Sequence, residues 1–189
     1  MRTTLWRGVL VVGLWSSAAA ADSTRDASVQ LELGVNTRRF EAADRSQVAF
    51  RGSTDPEQAT GPEGTALTTS IRFTANTRYN TFLGVEGETG KLVGDSDSNI
   101  AGGYGVVGAR GDAGPLRIAA ELVAGRRWVR YDSKFKTDPS VMIAEPRVRA
   151  DLWLTSKLML GAAVGATLSE RTVWMAGLYL GIHSFSYDR

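Results

Sequence analysis

The feature that most constrains this chain is an apolar–polar alternation with a period of two, repeated in eight stretches of about ten residues. Successive side chains on an extended strand point to opposite faces, so each stretch reads as a strand with one apolar and one polar face. Val29, Leu31, Leu33 and Val35 alternate with Gln30, Glu32, Gly34 and Asn36. Leu67, Ile71, Phe73 and Ala75 oppose Thr68, Ser70, Arg72 and Thr74, and Thr81, Leu83 and Val85 oppose Phe82, Gly84, Glu86 and Glu88. A fourth stretch, Asn99 to Ala109, is too glycine-rich for its facing to be read. Leu116, Ile118, Ala120 and Leu122 then oppose Arg117, Ala119, Glu121 and Val123. The sixth sets Met142, Ala144, Val148, Ala150 and Leu152 against Glu145, Arg147, Arg149 and Asp151. Leu158 to Thr167 makes a seventh, and the eighth sets Trp174, Ala176, Leu178, Leu180 and Ile182 against Gly177, Tyr179, Gly181 and His183.

The connections alternate in length. Those after the second, fourth and sixth stretches are expected to be tight turns at Asn76-Thr77-Arg78, Gly111-Asp112-Ala113-Gly114 and Thr155-Ser156-Lys157. The first connection is long and polar, Glu41 to Glu63, and those at Gly94 to Ser98 and Asp132 to Pro139 are intermediate. Short turns at one end and longer loops at the other are expected of an up-and-down barrel in an outer membrane, with the turns periplasmic. Two aromatic belts are expected: Phe40, Trp128, Tyr131 and Trp174 outside, and Phe73, Tyr79, Phe82, Trp153, Phe185 and Tyr187 at the periplasmic ends.

Residues 1–21 have the layout of a secretory signal: Arg2 and Arg7, an apolar run from Gly8 to Trp15, then Ser16 to Ala21. That run is shorter than the roughly 20 residues a membrane-spanning helix needs. Residues 22–189 are expected to form one barrel domain. With Arg2 and Arg7 removed from 22 basic side chains, the mature chain carries 20 basic against 20 acidic side chains, a balance that offers nothing to a nucleic acid. There is no cysteine and one histidine, so no thiolate or His-rich metal site and no cofactor is expected.

A soluble ligand-carrying barrel alternates with the same period. The polar face separates the two: it is rich in glycine, alanine, serine and threonine and poor in lysine, whereas a water-facing sheet carries more charge. With eight strands, short turns on one side, and Gly177-Leu178-Tyr179-Leu180-Gly181-Ile182 in the last strand, the chain resembles the small eight-stranded outer-membrane barrels of the OmpA-like and OmpX-like class. The resemblance covers essentially the whole mature chain. It implies an all-β, antiparallel transmembrane barrel, insertion by the barrel-assembly machinery, and a monomer among outer-membrane lipid and lipopolysaccharide.

Within such a barrel the inward charges are Glu32, Glu86, Glu88, Glu121, Glu145 and Asp151 with Arg72, Arg117, Arg127, Arg147 and Arg149. Eight strands enclose room for side chains alone, and buried ions must pair. A lumen plugged by an ion-pair network is therefore expected. Arg38, Arg39, Lys91, Arg126, Arg130, Lys134 and Lys136 fall near the outer rim and are candidate lipopolysaccharide contacts, because arginine and lysine bind phosphate. His183 could serve a lipid hydrolase only with a serine on its own face, and Ser184 and Ser186 fall on the other. Gly103-Tyr104-Gly105-Val106-Val107-Gly108 matches a nucleotide-loop pattern without the helix it requires, so its glycines are expected to relieve crowding inside the barrel. The expected role is a non-enzymatic structural or surface-interaction barrel. A narrow small-solute channel and a lipid-modifying enzyme are the alternatives.

Overall fold

The computed structural model describes residues 28–40, 64–77, 79–94, 97–130, 140–168 and 173–184. Residues 1–27, 41–63, 78, 95–96, 131–139, 169–172 and 185–189 lie outside the described residues. Among the described residues the chain forms eight strands: β1 (Ser28–Phe40), β2 (Gly64–Asn76), β3 (Thr81–Leu92), β4 (Asn99–Ala113), β5 (Leu116–Arg130), β6 (Ser140–Trp153), β7 (Leu158–Ala166) and β8 (Val173–His183). Each pairs antiparallel with its sequence neighbours, and β1 closes on β8 from Gln30↔His183 to Phe40↔Val173. Closure gives every strand a ladder partner on both sides, which is what lets a sheet cross hydrocarbon.

The inside–outside parity runs almost unbroken around the ring. Even-numbered residues face the lumen on β1 to β4 and odd-numbered residues on β5 to β8. The strand whose facing the pattern left open, β4, thereby acquires one: Ile100, Tyr104 and Val106 point inward. The outer wall is apolar and exposed, with Leu33 at 59 % and Val85 at 62 % of full exposure, and Leu31, Ile71, Leu83, Leu122, Val148, Leu178 and Ile182 alike. A band of this extent facing water would be without precedent in a soluble monomer, and it matches the acyl-chain region of a bilayer.

Turn chemistry explains the short ends. Between β2 and β3, Thr77 N donates to Thr81 O at 2.8 Å while Asn80 takes a positive φ of 58°, a conformation asparagine tolerates. Between β6 and β7, the Thr155 hydroxyl accepts from Lys157 N and Leu158 N at 3.3 and 3.0 Å. The β4–β5 connection is tighter than expected. Gly111, Asp112 and Ala113 stay in the ladder opposite Ile118, Arg117 and Leu116, leaving a two-residue turn at Gly114-Pro115. Glycine with φ 59° followed by proline, whose ring fixes a negative φ, matches the primed turn with glycine in first position. Pro146 is tolerated inside β6 because the β6–β7 ladder begins only at Arg147↔Gly165.

The two-belt expectation needs correction. Trp128 and Trp174 at the loop end, and Phe73 and Tyr79 at the turn end, do face outward. Phe40, Phe82 and Trp153 point into the lumen, because they share parity with Arg38, Glu86 and Asp151. Tyr131, Phe185 and Tyr187 lie outside the described residues.

Leu33 sits centrally in the outward apolar row of β1. Leu33→Arg should destabilise the barrel by about 2–4 kcal/mol, the cost of arginine on the lipid face near the bilayer centre. Urea unfolding in lipid vesicles would measure it, and a near-neutral result would indicate a hydrated outer wall.

Candidate functional site: the charged lumen and the outer rim

The lumen has three levels. At the loop end, Phe40, Ala66, Leu92, Ile100, Val129 and Val173 meet in an apolar cluster that caps the interior. One residue from each of β1 to β5 and β8 supplies it, so no single stretch of sequence announces it.

Below the cap lies a lattice of ion pairs. Arg38 grips Glu88 with two nitrogens, Nε to Oε1 at 2.5 Å and Nη2 to Oε2 at 2.9 Å, and reaches Glu145 with Nη1 at 2.8 Å. Glu145 also accepts from Arg127 Nη2 at 3.1 Å, Arg147 Nε at 2.8 Å and the Thr167 hydroxyl at 3.0 Å. Arg147 then holds Glu86 bidentately at 2.8 and 3.0 Å. Arg72 holds Glu121 the same way at 3.1 and 2.5 Å and lies 3.8 Å from Glu32. Arg149 bridges Glu32 at 2.5 Å and Asp151 at 2.6 Å. Paired forks of this kind are the strong, directional form of the arginine–carboxylate interaction.

At the turn end, Arg117 binds Asp112 at 2.7 and 3.4 Å and lies 5.0 Å over the Trp153 ring, which in turn packs on His183 at 4.4 Å. A polar cavity of about 20 Å³ bordered by Asn76, Arg110, Arg117, Arg149 and Asp151 has room for a single water.

The structure thus places Glu32, Arg72, Glu86, Glu88, Arg117, Glu121, Arg127, Glu145, Arg147, Arg149 and Asp151 on the inner wall, each in a polar contact with a neighbouring strand or residue. Arg38 is a correction. Expected at the rim as a lipopolysaccharide contact, it is wholly buried between Glu88 and Glu145. Height along the strand put it near the mouth, but parity turned it inward while its neighbour Arg39 faces out. With Arg38 inside, the described lumen buries six acids against six arginines, so the charges close.

Sequence reasoning also missed the neutral groups that complete the lattice. Tyr104 donates to Glu88 at 2.9 Å and accepts from Arg127 at 3.1 Å. The Thr68 hydroxyl donates to Glu88 at 2.6 Å. Tyr179 donates to Asn36 at 2.7 Å, Asn36 donates to Ser70 at 3.1 Å, and Arg149 lies 4.9 Å over the Tyr179 ring. Gln30 donates to Glu32, and Arg110 to Asn76. Their shared parity with the charged residues was the available signal.

The glycines divide in two. A Cβ on inward Gly102 would meet the Tyr104 hydroxyl at 2.0 Å, and one on Gly108 would meet Phe82 at 2.4 Å, so these do relieve crowding. Gly103 and Gly105 do not: they face outward, with nothing within 4 Å of a Cβ on the first and one carbonyl at 3.8 Å from the second. Ser184 faces away from His183 and accepts from Val29 N at 3.0 Å.

Of the rim cations, Arg39, Lys91, Arg126 and Arg130 are exposed on the outer wall, and Arg39 donates to the Thr65 hydroxyl at 3.4 Å. Lys134 and Lys136 lie outside the described residues.

An apolar outer wall, a closed up-and-down ring of eight strands and a charged inner face define the fold of the small eight-stranded transmembrane barrels. Comparison with solved structures returns the same fold. Neisserial surface protein A matches with a TM-score of 0.56 at 10 % identity, over 86 % of this chain and all of that one. Ail, the attachment invasion locus protein of Yersinia pestis, matches with a TM-score of 0.51 at 14 % identity, over 84 % of this chain and 99 % of that one. No protein-family model matches the sequence. No curated protein matches it either.

Arg72→Leu, which strands Glu121 without its forked partner, should cost about 3–5 kcal/mol. The double substitution Arg72→Leu/Glu121→Leu should recover most of that loss, because it removes the charge pair whole. A double-mutant cycle with Glu121→Leu, by urea unfolding in vesicles, checks both, and a loss in the double variant equal to the sum of the two single losses would show that the pair is not coupled.

Proposed function

We propose that this protein is a non-enzymatic barrel of a Gram-negative outer membrane, directed there by residues 1–21 and inserted by the barrel-assembly machinery as residues 22–189. Its lumen is structural, and its contacts with other molecules are made on its outer surface. The observation that carries this reading is the filling of the lumen. The apolar cluster closes the loop end, and the arginine–carboxylate lattice spans the section beneath it. A permeating ion would have to displace side chains that satisfy one another, in an interior with no room for both.

Catalysis has little to work with in the same lattice. Glu86 and Glu88, the pair of acids on one strand face, are each gripped bidentately by an arginine. His183 packs on Trp153 with Ser184 on the opposite face. Lipopolysaccharide contacts belong to Arg39, Lys91, Arg126 and Arg130 on the outer wall, with Lys134 and Lys136 as further candidates.

Two measurements test the reading. In cell fractionation the protein should sediment with outer membranes and shift its gel mobility on boiling, as folded barrels do. Reconstituted into planar bilayers, it should give no reproducible conductance steps. Discrete, voltage-stable steps would favour a narrow solute channel instead.

A further inference from the structure

The register of the outer wall gathers three cations on one side of the barrel. Leu67 pairs with Lys91 and Asn99 with Arg130, and the Gly90↔Ile100 pair sets Lys91 beside Asn99. Lys91 and Arg130 therefore stand in one row across β3 to β5, and both border an open groove of about 750 Å³ on the barrel's outer wall. Two outward positions lower, Gly87 pairs with Gly103 and Gly103 with Arg126. Ala101 and Trp128 pair in the row between. The result is a cluster of Lys91, Arg126 and Arg130 around Trp128, at the loop-end border of the apolar band, where lipid headgroups lie.

Beneath the cations the wall is hollowed. Gly103 and Gly105 follow each other down the outer face of β4, flanked by Gly87 on β3 and Ala124 on β5. Glycine weakens a strand, and in strands it often marks a place where another molecule approaches closely. The inward glycines of this barrel are explained by the protein's own packing. Gly103 is not, since a side chain there would meet open space.

Charge above and a slot below have the shape of an amphiphile. A soluble polyanion would use the cations and leave the slot empty. A second copy of this chain would bring the same cations against them. Asp97 at the groove's edge sets one carboxylate against the three positive charges. We infer that the outer wall of β3 to β5 seats one phosphorylated, multiply acylated glycolipid of the outer leaflet, with its phosphates on Lys91, Arg126 and Arg130 and an acyl chain along Gly103 and Gly105. The inference rests on the membrane-barrel reading above and narrows its rim contacts to one face.

Native mass spectrometry of the folded protein in detergent, titrated with purified lipid A, tests it. Wild type should hold one lipid A per barrel. Lys91→Gln/Arg126→Gln/Arg130→Gln should weaken binding at least tenfold, Arg126→Gln alone should weaken it severalfold, and Lys157→Gln, an exposed cation in the β6–β7 turn at the opposite end of the barrel, should leave it unchanged. Gly103→Leu fills the slot without removing a charge and should also weaken binding severalfold. Inositol hexakisphosphate should compete poorly. Heat-dependent gel mobility of each variant verifies folding, so loss of the barrel itself is read separately from loss of the lipid. Unchanged binding in the triple variant, or an equal loss in Lys157→Gln, would overturn the site. Tight inositol hexakisphosphate binding with no effect of Gly103→Leu would also overturn it, leaving a headgroup-charge patch only.

Discussion

A carboxylate halfway down an eight-stranded barrel has no water to turn to, and everything inside this protein is arranged around that fact. Moving an ion out of water costs several kcal/mol even after relaxation, and only close, well-oriented partners return it. Glu145 shows how the demand is met. Wholly buried, it collects Arg38 from β1, Arg127 from β5, Arg147 beside it on β6 and the Thr167 hydroxyl beyond β7. Glu32, Glu86, Glu88 and Glu121 similarly draw on arginines from strands far apart in sequence, so the ion pairs tie the ring across its interior as the backbone ladders tie it around its circumference.

The outer wall obeys the opposite condition. It faces a medium as apolar as itself, so its residues need no complementary partner and are mostly interchangeable aliphatics. That leaves variation on the wall unusually informative. Cations at the loop-end border and glycines below them are departures that neither backbone geometry nor internal packing requires, whereas the crowded inward glycines beneath Tyr104 and Phe82 are required by packing. The two faces of one strand, β4, carry glycines for unrelated reasons.

The division between the faces also gives them separate work. Phe40, Leu92 and Ile100 meet at the loop end of the lumen and forked arginines cross its middle, so the described inner wall is taken up by contacts among its own side chains.

The eight strands, their order and the facing of six of them were legible from alternation alone, because a period of two survives whatever the strand packs against. The inward charges of β2, β3, β5 and β6 were legible for the same reason. Arg38, Phe40, Phe82 and Trp153 were misplaced because position along a strand was weighed above parity, and adjacent residues such as Arg38 and Arg39 necessarily go to opposite faces. What only the tertiary structure decided is which charge meets which. Ring closure and strand stagger bring Arg38 to Glu145 across 107 residues and Arg149 to Glu32 across 117. Pairing across a closed ring depends on register summed over every intervening strand, and no local stretch of sequence carries that sum.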